Sequence, residues 1–418
     1  MSNVRQKDNF IRFLPAMAAF ALVCFIRHFK FTMSTYNTTF LALNYDYGII
    51  PRGFMGTLFK FLTENYEKLE WNYMGAFNFS GLFTLVYFIL LFVFYGLCLH
   101  RCPKEHKRNL KHLLLLLSVF AFPVYTTSVS FGCLDLYLSI VTLLCLILLV
   151  WGKLELLILP LIGIGMCIEH DFIFTHAMII GALLIYKAMT NVGLKRITYI
   201  LILALGIFTC STMYSHFENY VYENPKELVA ELKPAAKALS ETGRAYGKTY
   251  IKEEILGEDL SLTQEYMDQN EDNLQDFPVF IVLFSPYILG TVYLFMKMLI
   301  NKYSSKGQQV GYLFLLFGSL CILPMLFNDV YYGRYMYQLV FYYITGFIVL
   351  LALGDGIVGT QFEQVKTSVK KLTPMTYVWF LYPFLLTPFR AVAISAPIHK
   401  LAEILADPEL NFFLQNTP

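Results

Sequence analysis

Long apolar runs constrain this chain more than any other feature of its sequence. Several of them approach the ~20 residues that an α-helix needs to cross the hydrocarbon core of a bilayer. The composition agrees, because 57% of the 418 residues are hydrophobic and only 15% are charged. A soluble domain is about half apolar and about a quarter charged. The chain is therefore predicted to be an integral membrane protein.

The runs predict an all-α protein, a polytopic transmembrane bundle of about eleven helices with additional helices lying on its outer surface. The first run is expected to stay uncleaved, because no small-residue cleavage site follows it. The run 155–168 is short and contains glycine, so a half-helix or re-entrant segment is an alternative there. The predicted spans are 11–28, 76–99, 113–129, 135–151, 155–168, 172–189, 196–214, 278–299, 310–327, 336–354 and 375–394.

Lysine and arginine mark every second connection between these runs. Short cytoplasmic loops of membrane proteins collect Lys and Arg, so this alternation predicts a cytoplasmic N-terminus. The other connections and the tail after residue 394 are then extracytoplasmic. We expect the membrane that the chain spans to be the plasma membrane of a bacterium. The basic connections are the N-terminal segment, 101–111, Lys153, 195–196, 302–306 and 366–371.

The connection 215–277 is the one substantial polar insert in the sequence. It contains 14 acidic and 6 basic residues and helix-like pieces such as KELVAELKPAAKALSE. A small cap over the outer face and a solvated acidic loop are both open interpretations. The chain thus divides into an N-terminal transmembrane half with a first outer loop at 29–75, this insert, and a C-terminal transmembrane half with an outer tail. These parts span 1–214, 215–277 and 278–418.

The first outer loop contains the sequence NYDYGIIPRGFMG at 44–56. Asp46 lies between Tyr45 and Tyr47, and the glycines and proline that follow predict a tight turn. Asp46 and Arg52 are expected to converge in this turn, either in an active site or as a structural ion pair. The stretch 56–71 has apolar residues at helical spacing with charges between them, which predicts an amphipathic helix on the membrane surface.

Two further outer connections carry ionisable residues. Asp135 begins an apolar run, where a carboxylate caps the N-terminus of a helix. Glu169, His170 and Asp171 are consecutive between two apolar runs, which is costly unless they are paired or line a wet cavity. Glu169 and Asp171 are candidate ligands for a divalent ion such as Mg²⁺ or Mn²⁺, and a protonated His170 is a candidate phosphate contact. A water-exposed polar cluster is the alternative.

The fourth outer connection is NDVYYGR at 328–334. Asp329 and Arg334 flank a glycine there, and a guanidinium group suits phosphate because it presents a planar fork of donors. All four acidic motifs fall on one face under a topology derived independently from Lys and Arg. We therefore expect an outward-facing active site with Tyr45, Tyr47, Arg52, His170, Asp329 and Arg334 as substrate-binding residues.

Such a site suits a sugar phosphate carried on a membrane lipid. A carboxylate can deprotonate an acceptor hydroxyl as general base, and arginines can stabilise the departing phosphate. Aromatic side chains can stack on sugar rings. The sequence lacks the motifs GxxxxGK[ST], HExxH and GxSxG. This disfavours a P-loop ATPase, a zincin and a serine hydrolase.

On these residues the chain resembles the GT-C superfamily of polyprenyl-phosphate-dependent glycosyltransferases, in its topology and over roughly the first 180 residues. That family carries an acidic catalytic residue in its first outer loop, which Asp46 matches, and often a second in the next outer loop, which Asp135 matches. The resemblance implies that Asp46 is the base, Asp135 a metal or substrate contact and Arg334 a phosphate contact. The implied partners are a polyprenyl-linked sugar donor, a glycan or lipid acceptor and membrane lipid, with no nucleic acid.

Three other classes remain open. The chain is also similar to Wzy-type polysaccharide polymerases, whose large late outer loop the insert 215–277 suits, so it could be a repeat-unit polymerase or ligase. A transporter or flippase would carry broken helices and charges near the bilayer midplane, and the short run 155–168 favours it. An O-acyltransferase would need a histidine within the membrane, for which His176 is the candidate.

Overall fold

The computed structural model describes residues 33–124, 131–222, 224–243, 288–322 and 332–369, together with residues 251, 255, 256 and 285. Within these residues the secondary structure is helical, with no strand. The predicted all-α class is therefore confirmed. In chain order the α-helices are α1 (Thr35–Ala42), α2 (Gly53–Asn65), α3 (Tyr73–Arg101), α4 (Lys107–Val124), α5 (Leu134–Trp151), α6 (Ile158–Ile168), α7 (Phe172–Thr175), α8 (Ala177–Thr190), α9 (Gly193–Glu218), α10 (Pro225–Ala238), α11 (Ile288–Leu299), α12 (Lys306–Gly318), α13 (Tyr332–Ala352) and α14 (Gly356–Val369).

Three of the described helices are long and apolar enough to cross a membrane, namely α3, α5 and α9. The apolar segments Glu155–Ile168, α8, α11 and Gln338–Ala352 are shorter. The predicted spans 11–28 and 375–394 lie outside the described residues. The prediction of about eleven crossings therefore stays a prediction.

The long apolar helices differ in how they are buried. On α3 the side chains of Leu85 and Phe92 are more than half exposed, as is Phe208 on α9. Helix α5, in contrast, is buried along most of its length. Rows of exposed large apolar side chains are unfavourable against water and suit a lipid environment. The surface of α3 and α9 therefore fits contact with lipid.

The helices of the chain run between two ends of the structure. At one end, which we call the Asp46 end, Arg52 contacts Glu169 and His170 contacts Glu218. At the other, which we call the Lys153 end, Arg101 donates a hydrogen bond to the carbonyl of Trp151 (2.6 Å). Helices α3, α5, α8 and α13 begin at the Asp46 end, while α6, α9 and α12 run in the opposite direction. The acidic motifs of the first three outer connections consequently lie at the Asp46 end. The basic connections at 101, 153 and 195 lie at the Lys153 end.

The apolar run 155–168 forms a short helix followed by a break. A 3₁₀ turn at Glu155–Leu157 leads into the 11-residue helix α6, the chain turns at 169–171, and the four-residue α7 precedes α8. Gly165 permits the turn, because a Cβ atom at this position would lie 2.8 Å from the ring of Phe172. The short helix and its break fit the half-helix interpretation.

A buried carboxylate connects three helices at the Lys153 end. Asp355 is 3% exposed and accepts hydrogen bonds from the hydroxyl groups of Tyr186 (2.7 Å, α8) and Tyr312 (2.5 Å, α12). It also accepts the backbone N–H of Ile357 (3.0 Å) at the start of α14. Burying a carboxylate is costly unless it is hydrogen-bonded, and these donors satisfy it. The network holds the end of α8 and the middle of α12 against the connection between α13 and α14.

Helix α10 belongs to the polar insert and packs against α1. Its apolar residues Leu228, Val229 and Leu232 are buried, and Pro225 occupies the first turn, where its missing N–H costs nothing. The helix therefore fits the cap interpretation of the insert. The residues 257–277 of that insert lie outside the described part of the chain.

Candidate active site

The residues Tyr45–Tyr47 form a single 3₁₀ turn that presents Asp46. The side chain of Asn44 accepts the N–H of Asp46 (2.9 Å), and the N–H of Tyr45 donates to the hydroxyl of Thr57 on α2 (2.8 Å). Gly48 follows with φ +95°, a conformation that glycine adopts without steric cost. The turn is thus anchored to α2 by its own backbone.

The carboxylate of Asp46 is exposed and forms an ion pair with Lys60 on α2. The Asp46 side chain is 56% exposed, so a solute can reach it. Lys60 also lies 3.6 Å from Glu64, one helical turn further along α2. The hydrogen bond from Lys60 to Asp46 raises the pKa of the lysine above its ordinary value. Asp46 is therefore an accessible carboxylate held in place by a neighbouring cation.

The two tyrosines beside Asp46 pack the turn against its neighbours. The ring of Tyr45 occupies the space next to Gly53, where a Cβ atom would come within 2.8 Å of it. Burial, and then the nearby Cys167, raise the pKa of Tyr45. Burial, and then the charge of Glu231 on α10, raise the pKa of Tyr47. The predicted stacking of these rings on a sugar stays a prediction.

Arg52 pairs with Glu169 and not with Asp46. Its Nη2 lies 3.3 Å from Glu169 Oε1, and the two side chains are 11% and 6% exposed. The guanidinium group also lies over the ring of Phe40, 5.6 Å from its centroid. Asp46 and Arg52 do not converge as expected, because each side chain pairs with a different residue. The buried pair joins the first loop to the break between α6 and α7.

His170 lies between two carboxylates at this break. Its Nε2 is 3.5 Å from Glu218 at the end of α9 and 4.0 Å from Asp171, so both are ion pairs when the ring is protonated. The ring also packs near Tyr214 of α9. His176, in contrast, is buried and hydrogen-bonded to Thr175 (2.9 Å). The break therefore brings Glu169 into contact with the first loop and His170 into contact with α9.

Two of the remaining predicted site residues lie on α5 and α13. Asp135 is in the first turn of α5, and its Oδ1 accepts a hydrogen bond from Gln338 of α13 (3.1 Å). Arg334 lies in α13, one turn before Gln338, and its side chain is outside the described part of the structure. Asp329 lies outside the described residues. The structure thus places Asp135 at the Asp46 end and leaves the other two untested.

The metal prediction concerns Asp135, Glu169 and Asp171. In the part of the chain that the structure describes, no group of three or more His, Cys, Asp or Glu side chains is arranged to hold a metal ion. Asp135 contacts Gln338, and Glu169 contacts Arg52. A divalent ion here therefore stays a prediction.

Three partners in the site were not singled out from the sequence. Lys60 could have been found, since it is a charged residue on the predicted amphipathic helix that directly follows the turn. Glu218 and Gln338 had no such signal, because each lies on an otherwise unremarked part of a distant helix. Only the packing of α9 and α13 against the site brings them to His170 and Asp135.

The Asp46 end offers an exposed carboxylate, a buried guanidinium–carboxylate pair and a histidine between acids. Such groups can accept a proton from a hydroxyl and contact an anionic phosphate. Comparisons of the chain with protein-family models, with curated proteins and with solved structures find no match. The residues of the site themselves must therefore support any functional conclusion.

Proposed function

We propose that this chain is a membrane glycosyltransferase that moves a sugar from a polyprenyl-phosphate-linked donor to a hydroxyl group of a glycan or lipid acceptor. The observation that carries the proposal is the contact between Arg52 and Glu169, which joins two distant loops. Their contact places the exposed Asp46 and the histidine His170 at the same end of a set of apolar helices. A sugar phosphate attached to a lipid would arrive at such a place.

Asp46 is the proposed general base. It takes the proton of the acceptor hydroxyl while the hydroxyl oxygen attacks the anomeric carbon of the donor sugar. The bond between that carbon and the phosphate oxygen breaks, and the phosphate leaves with its lipid, so the configuration of the sugar inverts. Lys60 orients the Asp46 carboxylate through their ion pair.

Arg52 and Glu169 have a positioning role in this proposal. Their buried pair holds the turn at 44–52 against the break at 169–171. The substrate contact that the sequence predicts for Arg52 stays a prediction beside this positioning role. His170 and Arg334 keep their predicted role in substrate binding, because imidazolium and guanidinium groups donate hydrogen bonds to phosphate. Asp329 stays a predicted substrate-binding residue. Asp135 is a proposed substrate or metal contact.

The proposed orientation puts the Asp46 end on the extracytoplasmic face of a bacterial plasma membrane and the Lys153 end in the cytoplasm. The separation of acidic motifs and Lys-rich connections to opposite ends of the assembly supports it, since cytoplasmic loops retain Lys and Arg. Nucleotide sugars are not normally available outside this membrane. A lipid-linked donor therefore suits the outer location.

One observation favours a second candidate, a transporter or flippase for the same kind of lipid. The helix interrupted at 169–171 carries charged residues at its break, as the discontinuous helices of transporters do. Here, however, the charged residues lie at a helix end, beside the exposed Asp46. A repeat-unit polymerase would use the same donor class and differs only in its acceptor.

The decisive experiment supplies the purified full-length chain with a panel of polyprenyl-phosphate-linked hexoses and acceptor glycolipids. We expect the wild type to form a labelled product with at least one donor. In the Asp46→Asn variant we expect transfer to fall by about 10² to 10⁴, the usual contribution of a general base.

Glu64→Gln is the matched control, because Glu64 also contacts Lys60 on the same exposed surface. We expect this variant to retain transfer. Transfer by Asp46→Asn at the wild-type rate would overturn the role of Asp46. If the wild type forms no product with any donor but moves lipid-linked sugar between the leaflets of a vesicle, the chain is a transporter.

A further inference from the structure

A pocket of about 700 Å³ lies at the Lys153 end, far from the candidate active site. The ends of α3, α5 and α8 line it, together with the starts of α9 and α12 and the connection after α13. Among the described residues that line it, four are basic and one is acidic. They are Arg101, Lys153, Lys187, Lys195 and Asp355.

The acidic residue balances the charge of only one of the four basic residues. Asp355 already accepts hydrogen bonds from Tyr186, Tyr312 and the backbone N–H groups of Ile357 and Val358. These donors stabilise the carboxylate, which keeps its single negative charge against the four positive charges of the lining. The positive charge of the pocket therefore remains largely uncompensated by its own lining.

Two of the four cations have structural partners. Arg101 donates to the carbonyl of Trp151 (2.6 Å), and Lys187 donates to the carbonyl of Leu149 (2.6 Å) and pairs with Glu155 (2.8 Å). Cations at the C-terminal end of a helix satisfy its last carbonyl groups and interact favourably with its dipole. These two residues hold the end of α5.

The other two cations, Lys153 and Lys195, have no such partner. Both are exposed at the pocket, and neither forms an ion pair with any residue in the described ranges. The ammonium group of Lys153 lies 5.8 Å from the ring centroid of Trp151. Like charges in one concave pocket attract a counter-ion. An anion is therefore the ligand that this arrangement suits.

The neighbourhood of the pocket is apolar. Trp151, Leu154 and Leu194 expose between 38% and 79% of their surface beside the two lysines. In water such side chains would be poorly accommodated, whereas the acyl chains of a phospholipid would cover them. The pocket therefore has a basic lining, and the exposed apolar side chains beside it form an apolar margin.

We propose that this pocket binds a phosphate ester, with Lys153 and Lys195 as its principal contacts. The headgroup of an anionic phospholipid and a small soluble phosphate ester share this chemistry, and the apolar margin favours the lipid. The proposal is independent of glycosyl transfer at the other end of the chain.

Native mass spectrometry of the full-length chain in detergent tests the lipid. We expect phosphatidylglycerol to bind the wild type more tightly than the zwitterionic phosphatidylcholine. In the Lys153→Gln/Lys195→Gln variant we expect phosphatidylglycerol binding to weaken about thirtyfold, from the usual contribution of two lysines near an anionic lipid. Calorimetric titration with glycerol 3-phosphate on the same proteins tests the soluble source.

Two further variants make the result specific. Lys104→Gln/Lys302→Gln removes the same charge at the same end, from exposed residues that do not line the pocket, and should bind as the wild type does. Lys153→Arg/Lys195→Arg keeps the charge and should retain binding. If the Lys153→Gln/Lys195→Gln variant loses binding to phosphatidylglycerol alone, the ligand is a lipid headgroup. If it also loses binding to glycerol 3-phosphate, a phosphate ester suffices as the ligand. Equal binding by the wild type and the Lys153→Gln/Lys195→Gln variant in both titrations would overturn the proposal.

Discussion

At the scale of single residues, Arg52 adopts a backbone conformation that side chains other than glycine rarely adopt. Its φ is 62° and its ψ is 7°, in the left-handed region, directly before α2 begins. Such a conformation costs on the order of 1–3 kcal/mol. The buried contact with Glu169 and the position over Phe40 offset this cost. The strain is thus located at the residue that joins the two loops of the candidate site.

A double-mutant cycle on Arg52 and Glu169 tests this role. Arg52→Gln or Glu169→Gln alone removes one charge of a buried ion pair, and we expect each to lower the free energy of unfolding by about 3–5 kcal/mol. The double variant should cost less than the sum of the two. Chemical denaturation of the detergent-solubilised chain measures all three values.

The exposed pair of Lys60 and Glu64 is the control for this cycle. Charges in solvent contribute about 0–1 kcal/mol, so Lys60→Gln and Glu64→Gln should change the stability little. Strictly additive losses at Arg52 and Glu169 would show that the two side chains do not stabilise each other.

At the scale of helices, the close approach of α2 to the segment before the turn depends on Gly56. A Cβ atom at this position would overlap the carbonyl oxygen of Leu43 and lie 2.9 Å from that of Leu41. Both contacts are to backbone atoms, which cannot move away as the end of a side chain can. The glycine therefore sets the distance between α2 and the chain that leads to Asp46.

Gly56→Ala should consequently destabilise the chain although alanine is the better helix former. We expect a net loss of about 1–3 kcal/mol from overpacking, measured as a lower unfolding temperature in detergent. Gly96→Ala on α3 is the matched control, because no atom lies within 4 Å of its new Cβ. That variant should be neutral or more stable by up to about 1 kcal/mol. Equal stability of the two variants would contradict the close approach of α2.

At the scale of the whole molecule, the two ends differ in chemistry. The Asp46 end carries the exposed carboxylate and the acid–histidine cluster, whereas the Lys153 end carries the basic pocket. The apolar surfaces of α3 and α9 connect them. Such an arrangement suits a protein whose two ends contact different aqueous compartments.

Cysteine labelling in whole cells tests this arrangement. In a variant without its eight native cysteines, a cysteine introduced at Glu64 should react with a membrane-impermeant maleimide from outside. A cysteine introduced at Lys302 should react only after the cells are permeabilised. Both sites are exposed, so access to the reagent depends on the side of the membrane. Labelling of both from the same side would refute the proposed orientation.

Much of the helical architecture could be predicted from the chain alone. The predicted spans 76–99, 135–151 and 196–214 correspond to α3, α5 and α9, and the amphipathic stretch after the turn corresponds to α2. Apolar periodicity and run length are local properties, so a single sequence contains them. Helices α1 and α14 were missed, because α1 is short and α14 is partly polar and neither stands out as an apolar run.

The sequence by itself determined that the chain is helical, that it is suited to lipid, and that Asp46, Arg52 and the acids at 169–171 lie in connections between apolar runs. Only the tertiary structure decided which of these residues meet. Arg52 pairs with Glu169 and Asp46 pairs with Lys60, and four cations from α3, α8, α9 and the connection after α5 lie around one pocket. The reason is physical: helix formation depends on neighbours within a few turns, whereas ion pairs between distant loops depend on how the helices pack.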